Sequence, residues 1–176
     1  MKRFAVLVLV GIAAGNGASA EDDIYTRFFT GADGGKPCYA RYYDEPHLKA
    51  HPKQTVRRIE VDFDGSKPQD SGTPQSAAGF EGGIGFMLKR SKEWYGQALY
   101  CKTAGERFDC YLDADGGRIT LIPQSDALRL EVTGGGGGTD RIAVEGGRDF
   151  GTFGGPGSDD RVFILPRSPR KLCDAP

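Results

Sequence analysis

Long apolar runs are scarce in this chain. The longest stands at the very start, Phe4 to Ala14, and falls short of the roughly 18–20 apolar residues that a membrane-spanning helix needs. A strong excess of one charge is also missing, since the formal net charge is −1. That balance argues against nucleic acid and against an anionic lipid surface as partner, because both reward a basic protein. The short basic runs Lys53–Arg58 and Lys89–Lys92 are broken by other residues and read as solvated strand ends. Histidine is nearly absent, with two residues in all. A Ser–His–Asp triad could therefore draw only on His47 or His51, and no G-x-S-x-G elbow exists for one. Gly34-Gly35-Lys36 is followed by Pro37 rather than a hydroxyl residue, so a phosphate loop is excluded. No C-x₂-C pair is present, which removes the usual zinc–cysteine spacing. These absences leave no reaction identified and imply no cofactor.

What is there begins with an address. Lys2 and Arg3 precede the apolar run, and Ala18-Ser19-Ala20 follows it just before Glu21. A basic start, a short apolar core and a small-x-small end form the pattern of a secretory signal peptide. Residues 1–20 are thus expected to be cleaved, leaving 21–176 as a single disulfide-bearing domain without a membrane span. All four cysteines, Cys38, Cys101, Cys110 and Cys173, lie in that part. An even count in an exported chain reads as two disulfides. Three connectivities exist for four cysteines. If 95–102 and 107–112 form a hairpin around Ala104-Gly105-Glu106, Cys101 and Cys110 face each other across it. That favours Cys101–Cys110 and leaves Cys38–Cys173 to join the two ends of the domain.

Glycine is abundant, 27 of 176 residues, and it clusters between short alternating runs. Ile59, Val61 and Phe63 alternate with Glu60 and Asp62, and Leu128, Leu130 and Val132 alternate with Arg129 and Glu131. This is the period of a strand with one wet face. Weaker runs lie at 39–43, 84–89, 95–102, 108–112, 118–122 and 141–144, and the continuous run 162–165 suggests burial on both sides. Eight or nine short strands predict an all-β fold, an antiparallel barrel or sandwich. One helical turn is expected at 45–51, bracketed by Pro46 and Pro52 and capped by Asp44. The stretch 64–82, rich in Ser, Pro, Gly and Gln, reads as a long exposed loop.

Four groups of residues merit weighing for chemistry. His47 and His51 are four apart, so one helical turn puts both imidazoles on one face where they could share a metal ion. A third ligand is not evident beyond Asp44 or Glu45, and Leu48 stands where a metalloprotease helix carries glutamate. Gly135–Ile142 and Gly154–Asp159 match part of a calcium nonapeptide pattern, but they start 19 residues apart, out of register for stacked turns, and read as flexible turns. Asp109 and Asp113 share the solvated face of a strand, and Asp115 belongs to a turn. The aromatic group is the most suggestive: Tyr39, Arg41, Tyr42, Tyr43, Trp94 and Tyr95 combine the residue types of recognition surfaces. Tyr39 and Tyr43 share a face by parity, so they and Tyr42 cannot all be buried.

The run Cys38-Tyr39-Ala40-Arg41-Tyr42-Tyr43-Asp44, continued by His47-Leu48-Lys49-Ala50-His51-Pro52, resembles a group of small exported bacterial proteins of no established function. Asp115-Gly116-Gly117 and Asp159-Asp160-Arg161-Val162-Phe163 with the late Cys173 extend the resemblance. It implies a periplasmic or secreted address and transfers no catalytic residue. It also implies that relatives carry cysteines near Ala114 and Arg148, a disulfide this chain would lack. The expectation is a non-catalytic β-domain that binds an unknown ligand or envelope protein. The alternatives are a metal-assisted hydrolase built on His47 and His51, and a structural envelope component.

Overall fold

The computed structural model describes residues 24–30, 35–65, 69, 71–72, 74–146 and 149–174. The expected signal peptide lies outside them. Ten strands follow one another: β1 Cys38–Tyr42, β2 Val56–Phe63, β3 Phe80–Leu88, β4 Trp94–Ala104, β5 Arg107–Leu112, β6 Gly117–Gln124, β7 Ala127–Gly134, β8 Ile142–Glu145, β9 Phe150–Phe153 and β10 Val162–Ser168. Eight of them close into an antiparallel barrel in the order β1-β10-β7-β6-β5-β4-β3-β2, while β8 and β9 form a separate hairpin. The fold is the barrel, not the sandwich. The strand that the sequence pattern did not announce is β9, whose Phe-Gly-Thr-Phe is too short to show a period.

Alternation places the core. Ile59, Val61, Phe63, Leu128, Leu130 and Val132 all point inward and are buried. Ladder register aligns Phe108, Leu121, Leu130 and Phe163 at one level across β5, β6, β7 and β10. The run 162–165 is corrected by the same rule. Phe163 and Leu165 are buried, but Val162 and Ile164 are 44% and 43% exposed. A closed barrel has one dry side only, and among the described residues none covers β10 fully from outside. The expected loop 64–82 also ends earlier, because Gly82 sits within β3 opposite Phe63 and Leu99.

Side chains close both ends of the barrel. At one end a π-helical turn, Thr26–Thr30, inserts Phe28 and Phe29. Phe29 meets Phe80, Phe108 and Phe63 with ring centroids 4.6, 4.8 and 5.5 Å apart. The Tyr39 hydroxyl donates to the Phe28 carbonyl at 2.9 Å, and Arg27 donates to the Ser125 carbonyl at 2.8 Å. At the other end the β8–β9 hairpin buries Ile142, Val144 and Phe153. Phe153 packs on Phe86 at 4.8 Å and on Phe163 at 5.7 Å. An eight-stranded barrel is just wide enough for side chains to fill, and here aromatic rings cluster at its ends around an interior shared with aliphatic side chains.

Both expected disulfides are present, Cys101–Cys110 and Cys38–Cys173. The first joins directly opposed residues of the β4–β5 hairpin, and the second ties the start of β1 to the chain's last described residues. The helical turn is also present, as α1, Glu45–Ala50. Its N-cap Asp44 accepts from the His47 backbone N–H at 2.9 Å, and Pro46 lies in the first turn.

Candidate functional site

β1 pairs with β10 only through Cys38–Ser168 and Tyr39–Arg167. Beyond that short seam lies a pocket of about 290 Å³ lined by Arg41, Tyr43, His47, His51, Gln54, Asp159, Val162 and Ile164. Its inner wall is a column of stacked groups. The Arg41 guanidinium lies over the Tyr43 ring at 5.4 Å. Tyr43 faces His47 at 4.6 Å, and His47 stacks on His51 at 4.4 Å. The helical spacing of four in α1 produces the last contact, since i and i+4 side chains lie one above the other.

Buried hydrogen bonds hold that column. Gln54 gives its amide N–H to the Val56 carbonyl at 2.8 Å, which turns its Oε1 toward His47 Nε2 at 3.0 Å. His47 Nε2 must therefore carry the proton and donate it. Burial pushes the Tyr43 phenol above its usual range, with Arg41 acting the opposite way, so it remains a neutral hydroxyl. Behind the pocket Asp160 is fully buried. Its carboxylate accepts from the Thr55 N–H at 2.6 Å, the Thr55 hydroxyl at 2.5 Å and the Val56 N–H at 3.2 Å. Burial raises the Asp160 carboxyl above the ordinary range, and these hydrogen bonds oppose the rise. Asp160 thereby fastens the turn carrying Asp159 to the start of β2.

The other aromatic candidates divide. Tyr42 points away from the pocket and is 67% exposed. It heads a row on the barrel's outer face, Tyr42–Arg58–Met87–Trp94, formed by direct cross-strand neighbours. Arg58 lies over the Trp94 ring at 4.8 Å, and the indole rests on Gly85, where a side chain would collide with it. Tyr39 and Tyr95 are corrected. Both face inward and are buried, Tyr95 stacking on Phe86 at 5.2 Å and donating its hydroxyl to Asp149 at 3.1 Å. Of the six aromatic-segment candidates, Arg41, Tyr42 and Trp94 reach solvent and Tyr43 lines the pocket.

Below that row the C-terminal segment covers the outer face of β1 and β2. Arg58 donates to the Leu172 carbonyl at 2.5 Å, Arg170 pairs with Asp62 at 2.9 Å, and the Cys38–Cys173 disulfide lies alongside. Glu60 is left 4% exposed, 3.0 Å from Arg58. Burial outweighs that ion pair and pushes its carboxyl up to about 7.

The remaining sequence signals settle into turns. Among the described residues no group of three or more His, Cys, Asp or Glu side chains is placed to hold a metal ion. His47 and His51 are brought together, but face to face, with His47 Nε2 engaged by Gln54. Asp113 and Asp115 belong to the β5–β6 turn, where Ala114 and Asp115 have φ of 46° and 64° and the Gly116 N–H reaches the Asp113 carbonyl at 2.9 Å. The glycine run after β7 packs on this turn, Gly137 N–H donating to the Asp115 carbonyl at 2.9 Å.

The pocket also holds residues that the pattern did not single out. Gln54 stands in no motif, and Asp159, Val162 and Ile164 drew notice only as part of a glycine-turn match, of the resemblance or of an apolar run, never as one wall of a pocket. A second, larger groove of about 900 Å³ crosses the outer face of β4 to β7. Its side chains include Tyr100, Lys102, Arg107, Asp109, Tyr111 and Arg118. There Tyr100 stacks on Tyr111 at 5.1 Å and Arg107 pairs with Asp109 at 2.9 Å. Comparisons with protein-family models, curated proteins and solved structures gave no match for this chain.

Proposed function

We propose that the chain is an exported, non-catalytic binding module that acts in the periplasm or outside the cell. It contacts a ligand or an envelope protein through the outer surface around the end of β1. Two disulfides fit an oxidising compartment, and the start of the chain reads as a signal peptide. The observation that carries the binding reading is the convergence of Arg41, Tyr43, His47 and His51 on one pocket, with exposed Tyr42 and half-buried Trp94 close by on the neighbouring face. The interior does not suggest a ligand chamber, because the N-terminal turn and the β8–β9 hairpin fill its two ends.

The hydrolase reading draws no support from this geometry, since His47 is held by Gln54 and no acid stands within hydrogen-bond reach of either imidazole among the described contacts. The test of the binding reading is affinity capture from an envelope extract using the disulfide-intact protein. Replacing Arg41, Tyr42 and Trp94 together by alanine is expected to abolish recovery of any specific partner while leaving the melting temperature within a few degrees. Recovery unchanged by the triple substitution would overturn it.

A further inference from the structure

We propose that the pocket between β1, α1 and β10 is a carboxylate site, and that it takes a compact acid bearing a short apolar group. The proposal rests on the binding-module reading and names the chemistry of its ligand.

Arg41 supplies the first argument. It is solvent-exposed, lies over Tyr43 with one face, and has no ion-pair partner among the described residues. A guanidinium is a planar fork whose geometry matches a carboxylate, and stacking on an aromatic ring holds that fork in one orientation. The Arg41 edge is thus pre-positioned and unused. His47 and His51 extend the same column; the His47 N–H is spent on Gln54, so the added ring N–H donor is that of His51. The second argument is the opposite wall, where Val162 and Ile164 expose apolar surface into the same space. A charged fork facing two aliphatic side chains selects a ligand with an anionic end and an apolar body.

Size and charge narrow it further. About 290 Å³ lies at the small end of ligand pockets, enough for one amino-acid-sized group. The carboxylates nearby do not pre-empt Arg41. Asp160 is buried and committed to Thr55 and Val56, and Asp44 caps α1. Asp159 lines the pocket as well, and among the described residues it makes no ion pair with Arg41. A free small acid and the C-terminus of a peptide share this chemistry.

Calorimetric titration of the purified, disulfide-intact protein tests it. The probes are N-acetyl-leucine, its uncharged amide N-acetylleucinamide, inorganic phosphate, and a leucine-terminated pentapeptide with either a free or an amidated end. Saturable binding of N-acetyl-leucine is expected, at least ~10-fold tighter than of the amide or of phosphate. R41Q should weaken it by ~10-fold or more with an unchanged melting temperature, and I164D should do the same by repelling the acid. The free-ended peptide binding more tightly than N-acetyl-leucine would support a chain terminus as the natural ligand, and equal binding would support a small acid. The proposal falls if acid and amide bind equally, if phosphate binds as well as N-acetyl-leucine, if R41Q binds like the parent, or if none of the probes binds. Should it fall while the Arg41/Tyr42/Trp94 substitution still abolishes partner capture, the module reading survives without its carboxylate ligand.

Discussion

At the scale of single residues, Glu60 gives the sharpest expectation. Its carboxyl is pushed from 4.5 up to about 7 by burial under the C-terminal segment, with Arg58, Asp62 and Arg170 as its charged neighbours. An acid whose folded pKa is raised holds more protons folded than unfolded, so its contribution is full below about pH 4.5 and is lost as pH rises through about 7. E60Q should therefore match the parent near pH 4.5 and exceed it near pH 8, by on the order of 3 kcal/mol at most. Urea unfolding at the two pH values checks it, and parallel pH dependence in both proteins would contradict it. Ala114 gives a second expectation. Its φ of 46° lies where a Cβ costs about 1 kcal/mol and glycine costs nothing sterically. A114G should raise the melting temperature by a few degrees, read by calorimetry. Parity along a strand was legible at this scale: it separated Tyr42 from Tyr39 and Tyr43, and set Cys101 opposite Cys110. Parity does not say which side is dry. Tyr95 therefore looked as available as Trp94, until barrel closure turned one inward and the other outward.

At the scale of elements, alternation in β2 and β7, the proline-bracketed α1 and the glycine turns were all readable, because each is a local preference expressed over a few residues. The two elements that close the barrel's ends were not. The Thr26–Thr30 turn has no apolar period of its own, and β9 carries a glycine between its phenylalanines. Their role comes from what they meet, which sequence patterns do not encode. Phe29 shows the weight of such a contact. Touching Tyr39, Phe63, Phe80 and Phe108, it should cost about 3–5 kcal/mol when replaced by alanine, measurable by denaturant unfolding. F150A in the β8–β9 hairpin is the control, since Phe150 is largely exposed and its loss should cost little. The disulfides should differ as their loops do. With separations of 9 and 135 residues, the chain-entropy relation assigns about 2.5 kcal/mol to Cys101–Cys110 and about 5 kcal/mol to Cys38–Cys173. Paired Cys→Ser variants compared by urea unfolding test that order, and a larger loss for the hairpin bridge would refute it.

At the scale of the whole molecule, the candidate pocket exists because the first and last strands of the barrel meet. Residues 41–54 form one wall and 159–164 the other, more than a hundred positions apart, and only the ring of strands brings them together. That distance is why the histidine pair and the Arg41 segment were each visible in the sequence while the pocket they share with β10 was not. The same closure orders events in time. β1 completes its pairing with β10, and Cys38 with Cys173, at the far end of the chain. Contacts of such long separation form late, because a large loop must be ordered before they can repay it. A chain delivered in sequence, first strand foremost, thus waits with an open-sided sheet until its final strand arrives. The pocket between β1, α1 and β10 is then the last thing to be built, and a copy cut short before β10 has none.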